Sequence, residues 1–197
     1  MGSTVALPSK ASCRARFRTY RRSLAPAVRQ ARSALIGHRA LRHRDVARGT
    51  TVHVYWPLDE QGEIDTRPLI AALRGCGATV VLPVVTSFAP HRPTMEHRRY
   101  EGPDSLTTNR WGIREPQNTP SVSPQALDAV IVPAVGAGRN GHRIGQGAGY
   151  YDAFLAAVEA PRIGLVYDAC LLPRVPSASH DIRLTAIITE RASFCIA

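Results

Sequence analysis

The order of apolar runs and helical spacings predicts an α/β fold: a three-layer α/β/α domain built on a mostly parallel, or mixed, central sheet. Three observations carry this. Short β-branched runs alternate with helical segments in the manner of βαβ units. Those runs are apolar nearly throughout, as in strands covered on both faces. The length of 197 residues suits one ordinary domain with a real core, so residues 1–197 are read as a single unit with 1–9 as a flexible tail.

Taken in order, Lys10 to about Arg44 reads as helix in two segments broken near "SLAP", with Pro26 in a first helical turn and Ser23 as the cap. "TVHVYW", Thr51 to Trp56, reads as a strand. In "DTRPLIAALRGCG" Asp65 is the expected cap, Pro68 falls in the first turn, Leu69, Ile70 and Leu73 share a face, and Gly75 or Gly77 stops the helix. "ATVVLPVV" follows as a buried strand. The stretch from Ser87 to Pro124, with prolines at 90, 93, 103, 116, 120 and 124, is predicted to be loop-rich, with a short strand near Met95 to Tyr100. "LDAVIVPAV" is a third strand, a helix is expected from about Gly149 to Val158, and "RIGLVY" and "TAIIT" complete the sheet.

Composition narrows the function classes. Hydrophobic content of 44% with 20% charged residues is that of a globular protein. No apolar run approaches the roughly 18–20 residues needed to cross a bilayer, so no membrane role is expected. The cysteines Cys13, Cys76, Cys170 and Cys195 form no C-x-x-C pair and read as free thiols. The opening is arginine-rich and acid-poor, as in transit peptides, but it continues into helical periodicity, and a cytoplasmic protein is expected. The net charge of +10 raises nucleic acid as a partner. Against that, the basic residues are scattered arginines, with Lys10 the one lysine, so the expectation is no nucleic acid but a field that concentrates polyanionic small molecules.

The chemistry concentrates in "GHRIGQGAGYYDAFLA", residues 141 to 156. Bare amides at Gly145, Gly147 and Gly149 ahead of a helix form a donor surface suited to phosphate oxygens, and Arg143 adds a charge-assisted contact. On spacing alone, phosphate binding and a structural turn with packed tyrosines stand about level, because the pattern is neither G-x-G-x-x-G nor a P-loop.

The longer stretch "VPAVGAGRNGHRIGQGAGYYDAFL" resembles the signature of the 5-formyltetrahydrofolate cyclo-ligase family. So do "YWPLDEQGEIDTRPLI", "VVLPVV", "WGIREP" and "VPSASHDIRLTAIIT", in the family's order, from Lys10 to about Thr189. The resemblance implies an ATP- and magnesium-dependent ligase that converts 5-formyltetrahydrofolate to 5,10-methenyltetrahydrofolate. It implies ATP contacts from Lys10 and Arg14, four residues apart on one helical face, and from Arg143, Ile144, Gly145, Gln146, Gly147, Ala148, Gly149, Tyr150 and Tyr151. It implies folate contacts from Glu63, Gln146, Gly147, Ala148, Gly149 and Tyr150, with Trp56 and Trp111 as apolar faces for the flat rings. Asp152 and Asp181 match magnesium ligands, and Arg143, Tyr150 and Tyr151 stand beside the reacting groups.

Bland readings exist for each residue: a solvated Glu63, a helix-terminal Asp152, a turn aspartate at 181, core tryptophans. His142 and His180 flank the motifs and are read as surface or hydrogen-bonding residues. The chain departs from the family pattern at Ala137 and Gly138, where phenylalanine and aspartate are common, and at Ala148, where lysine is frequent; Arg139 is the expected compensation. Those departures keep open a cyclo-ligase-like paralogue acting on another substrate, with a basic nucleic-acid-binding protein as a third reading. A monomer or weak dimer is expected.

Overall fold

The structure, a computed structural model, describes residues 8–87, 94–110 and 112–196. Residues 1–7 of the expected tail and Trp111 lie outside the described residues. In chain order the elements are α1 (Lys10–Ser23), α2 (Pro26–Leu41), α3 (Arg44–Ala47), β1 (Thr51–His53), α4 (Arg67–Gly75), β2 (Thr79–Ser87) and β3 (Thr94–Arg99). They continue with β4 (Leu106–Thr108), β5 (Arg114–Pro116), β6 (Ala129–Pro133), β7 (Gly136–Gly138), β8 (Arg143–Ile144) and α5 (Tyr150–Leu155). The last are β9 (Arg162–Leu165), β10 (Leu171–Leu172), β11 (Ala186–Ile188) and β12 (Ser193–Cys195).

Seven strands form one sheet in the order β12-β11-β9-β6-β1-β2-β3. The interior pairings are parallel, and the two edges, β12 on β11 and β3 on β2, are antiparallel. The sheet is therefore mixed at its margins, and β12 is a strand that the sequence pattern does not announce. A three-layer arrangement follows from the alternation within each strand. Val52, Val80, Leu82, Ile131 and Ile163 pack with Phe17, Ile36, Leu69, Ile70 and Leu73 of α1, α2 and α4. Their neighbours Val81, Val130, Val132 and Ile187 pack with Phe154 and Leu155 of α5 on the other face. Each such side chain contributes about 1.5–3 kcal/mol by leaving water, which is why the runs had to be apolar on both faces.

Several local expectations change. Ser23 does not cap α2: it ends α1 and its hydroxyl donates to the Tyr20 carbonyl, while α2 begins at Pro26 after an N-cap, Ala25, that offers no side-chain acceptor. Asp65 sits one residue outside the N-cap of α4, yet its Oδ1 still accepts from the Arg67 N–H at 3.0 Å. Ser9 belongs to structure rather than tail, since its Oγ accepts from Ser12 N at 3.1 Å and caps α1. The strand expected to reach Trp56 leaves the ladder after Val54, whose N–H bonds the Val81 carbonyl at 2.8 Å. The helix expected from 149 to 158 is regular only from Tyr150 to Leu155.

The connectivity places a crevice. From β1 the chain moves to β2 on one side and later returns to β6 on the other, so β1 and β6 flank a switch point, outside whose carboxyl ends ligands bind in open parallel sheets. No helix among the described residues is long and apolar enough to cross a membrane. The four cysteines are free thiols, Cys13 and Cys170 buried, Cys76 and Cys195 exposed.

Candidate functional site

At that switch point lies a cleft of about 750 Å³, lined by Tyr55 and Trp56 after β1 and by Pro133, Ala134 and Val135 after β6. The glycine-rich loop forms one side. Its shape needs glycine at Gly147 and Gly149, whose φ angles of +109° and +81° fall in the left-handed region that disfavours other residues. The small sheet β10-β7-β8 anchors the loop's start and delivers Arg143.

Helix α1 supplies the cationic wall. It can lie there because Gly136 on β7 has no side chain: a Cβ at that position would come within 2.3 Å of the Phe17 ring. So docked, Arg14 Nε donates to the Gly145 carbonyl at 2.8 Å, and Lys10 pairs with Asp181. Arg18, one turn on, reaches Gln146, with Nε 3.2 Å from its side-chain oxygen and Nη2 3.3 Å from its carbonyl. Lys10, Arg14, Arg18 and the buried Arg21 recur at helical spacing, so one face of α1 carries four cations to the cleft and its floor. The resemblance implies only the first two, although the same periodicity contains the others.

Glu63 lies in the turn after β1 and is 7% exposed. Its Oε2 accepts from Leu58 N at 3.1 Å, and its Oε1 lies 3.7 Å from Arg21 Nη2 and 3.5 Å from Gln146 Nε2. Burial pushes this carboxyl above its usual range, against the opposing pull of the Arg21 guanidinium. Gln146 also bonds Gln61, so the loop is tied to the Glu63 turn across the cleft.

The two aspartates line the same cleft. Arg143 Nη2 donates to Asp152 Oδ1 at 2.6 Å, and the same oxygen accepts from the N–H of Ile182, the neighbour of Asp181, at 3.3 Å. Burial works to raise Asp181, but hydrogen bonds from Lys10 and from the Ala178 N–H, together with the Lys10 charge, hold its carboxyl below the usual range. Two carboxylates lining one cleft beside a glycine loop are a donor set that suits a magnesium ion taking its remaining ligands from phosphate and water. Among the described residues there is no group of three or more histidine, cysteine or acidic side chains that would make an all-protein cage.

The tyrosines separate in character. Tyr150 donates its hydroxyl to the Ser87 carbonyl at 2.9 Å, bridging the loop's end to β2. Tyr151 lines the cleft, but its hydroxyl has no exposed surface and no hydrogen-bond partner among the described residues, and burial raises its pKa. It offers a ligand ring surface rather than a proton. Trp56 lines the cleft, tilted against Tyr100 at 5.8 Å, with the Arg114 guanidinium 5.4 Å above its ring. Ile144, fully buried, is a packing residue beneath the loop.

One expectation about the departures is corrected. Arg139 does not compensate for Ala148: its guanidinium lies 4.3 Å over the Phe194 ring at the sheet edge, away from the cleft. The cations nearest the loop are on α1; a Cβ at Gly147 would be 3.7 Å from the Arg14 guanidinium. At Gly138 a side chain has no room on this backbone, because its Cβ would fall 2.6 Å from Val175 N, and Ala137 is fully buried. His180 is exposed, 3.8 Å from Asp181, and His142 is half-buried with its Nδ1 enclosed.

Known proteins resemble this chain over most of its length. The model of the 5-formyltetrahydrofolate cyclo-ligase family matches residues 6–190. A 5-formyltetrahydrofolate cyclo-ligase from Mycolicibacterium smegmatis is 33% identical over 189 residues, covering 93% of this chain and 94% of the relative. The Escherichia coli K12 enzyme of the same name is 32% identical over 178 residues, covering 88% and 96%. The solved structure of Aquifex aeolicus 5,10-methenyltetrahydrofolate synthetase superimposes with a TM-score of 0.84 at 26% identity, covering 95% of this chain and 92% of that one.

Proposed function

The chain belongs to the 5-formyltetrahydrofolate cyclo-ligase family, and from that premise we propose that it closes 5-formyltetrahydrofolate to 5,10-methenyltetrahydrofolate at the expense of ATP, with magnesium. The observation that carries the proposal is the convergence, at one switch-point cleft, of an α1 cationic face, a left-handed glycine loop, two aspartates and a buried glutamate.

The formyl group on the 5-nitrogen is an amide and a poor electrophile. Its oxygen attacks the γ-phosphorus of ATP and ADP departs, leaving an iminium phosphate; the 10-nitrogen adds to the formyl carbon and phosphate leaves. Phosphoryl transfer asks the protein mainly for alignment and charge stabilisation. Lys10, Arg14 and Arg143 face the triphosphate, and the amides of Gly145 to Gly149 give it donors without side chains in the way. Gln146, Gly147, Ala148, Gly149 and Tyr150 lie where nucleotide and folate would adjoin. Glu63 accepts from substrate N–H groups, and Trp56 and the Tyr151 ring cover its flat faces. Asp152 and Asp181 would hold magnesium, which supplies charge neutralisation for the phosphate oxygens. Both aspartates are already paired with cations here, so nucleotide phosphates would draw Lys10 and Arg143 toward themselves as the carboxylates turn to metal.

The test is direct. Purified protein with 5-formyltetrahydrofolate should form a near-ultraviolet-absorbing product only when ATP and magnesium are both present, and a chelator should abolish it. Folded protein that gives no product under those conditions, or that forms product without ATP, would overturn the assignment.

A further inference from the structure

One buried carboxylate in the cleft has no place in the reaction described so far. Glu115 on β5 is 6% exposed and lines the cleft beside Pro83, Val85, Met95 and Ile113. Its Oε1 accepts from the Val85 N–H at 2.8 Å, at the register shift between Val85 and Ser87 where β2 slips against β3. Among the described residues its carboxylate makes no other hydrogen bond and no ion pair. The adjacent cation does not serve it, since the Arg114 guanidinium lies over the Trp56 ring.

That arrangement is expensive for a purely structural role. A buried carboxylate ordinarily has a cation or several donors around it, and the Val85 N–H alone would be satisfied by a neutral acceptor. Glu63 makes the contrast, because both of its oxygens are engaged, by Leu58 N on one side and by Arg21 and Gln146 on the other. Glu115 also sits at the other end of the glycine loop from the cations. Arg14 holds the loop's start, whereas Tyr150 at its end bonds Ser87 on β2, where burial first and the nearby Glu115 carboxylate second push its phenol pKa up.

Resting on the reading of the site as a folate cyclo-ligase centre, we propose that Glu115 is a specificity-determining residue whose second oxygen accepts the N–H donors on the edge of the substrate's bicyclic ring, in the apolar half of the cleft. A flat heterocycle fits between Pro83, Val85, Met95 and Ile113, and its amino and ring N–H groups need an acceptor where water is excluded. Glu115 thus adds a second carboxylate to Glu63 and divides the cleft into a phosphate-binding side and a ring-binding side.

Glu115→Gln separates this role from packing. The amide oxygen still accepts from Val85 N, but the other position becomes a donor facing donors. In the full-length protein the KM for 5-formyltetrahydrofolate should rise about 10- to 100-fold while the KM for ATP and the melting temperature hold. Calorimetric titration with 5-formyltetrahydrofolate alone should weaken by the same factor, and Glu115→Asp, which keeps the charge, should fall between. A rise in the ATP KM with folate binding intact would overturn the proposal by assigning Glu115 to the nucleotide base. Unchanged binding of both would reduce it to a partner for Val85. Either result with an active parent protein sinks this inference alone, whereas a parent that binds folate but fails the ATP and magnesium assay sinks the reaction and leaves the binding comparison to decide Glu115.

Discussion

Acid should loosen the face of the sheet that carries the site, through two imidazoles buried under α5. His53 on β1 is 0% exposed and His97 on β3 is 5% exposed, and among the described residues neither ring nitrogen of His53 nor the Nδ1 of His97 has a hydrogen-bond partner. The rings lie 5.1 Å apart, and His97 stacks on Phe154 of α5 at 3.9 Å. Burial pushes His97 down to about 4, against the opposing charge of Glu96, and it pushes His53 well below its ordinary value, with the charge of His97 adding to the effect. For a base with a depressed folded pKa, the stabilisation is complete above the unfolded value near 6.5 and is lost as pH falls toward 4. Each unit in that window is worth about 1.36 kcal/mol, so His97 should withdraw about 2 kcal/mol by pH 5. Urea denaturation at pH 7 and pH 5 measures this, and His97→Phe keeps the ring stack while deleting the titration. The variant should lose about 2 kcal/mol less than the parent between the two pH values, because carboxylate titrations are common to both and cancel. Equal losses would refute the claim that His97 stays neutral in the fold.

Other perturbations separate roles within the site. Asp152→Asn removes charge beside Arg143 and should cut turnover at least about 100-fold while far-ultraviolet dichroism stays native; near-normal rates would contradict the metal assignment. Lys10→Ala should raise the ATP KM about 10-fold or more with the folate KM nearly unchanged, and should cost under about 1 kcal/mol of stability because the Lys10–Asp181 pair is partly solvated. An unchanged ATP KM would remove Lys10 from the nucleotide site. Gly136→Ala places a methyl within 2.3 Å of the Phe17 ring and 2.6 Å of the Cys170 carbonyl, so unfolding free energy should drop by about 1–3 kcal/mol; a neutral result would mean α1 can shift without penalty.

What the sequence disclosed follows the range of the forces involved. Strand identity was legible because burial on both faces leaves a run such as "AVIVP" without polar positions, and the tie between Lys10 and Arg14 was legible because a helix repeats every 3.6 residues. The glycine loop was legible for a related reason, since left-handed backbone at Gly147 and Gly149 narrows the choice of residue locally. Residues whose role depends on a partner far along the chain were not. Glu115 reads as one acid in a proline-rich loop until the fold brings its carboxylate to the Val85 N–H at the register shift between β2 and β3. His53 sits in an apolar strand run and gives no sign that its ring will lie against His97.

Gly136 shows how the two ranges join. The helical period puts Phe17 on the apolar side of α1 and Lys10 and Arg14 near the cleft, but nothing within the helix sets its depth. That depth is set by the missing side chain on β7, where Phe17 is fully buried over Gly136, and it decides whether Arg14 reaches the Gly145 carbonyl at 2.8 Å. If the proposed site is correct, a small loss of packing there should appear first as a weaker grip on nucleotide. Gly136→Ala is therefore expected to raise the ATP KM more than the folate KM in protein that remains folded. An equal rise in both would mean that α1 serves the domain as a whole rather than aiming its cations at the loop.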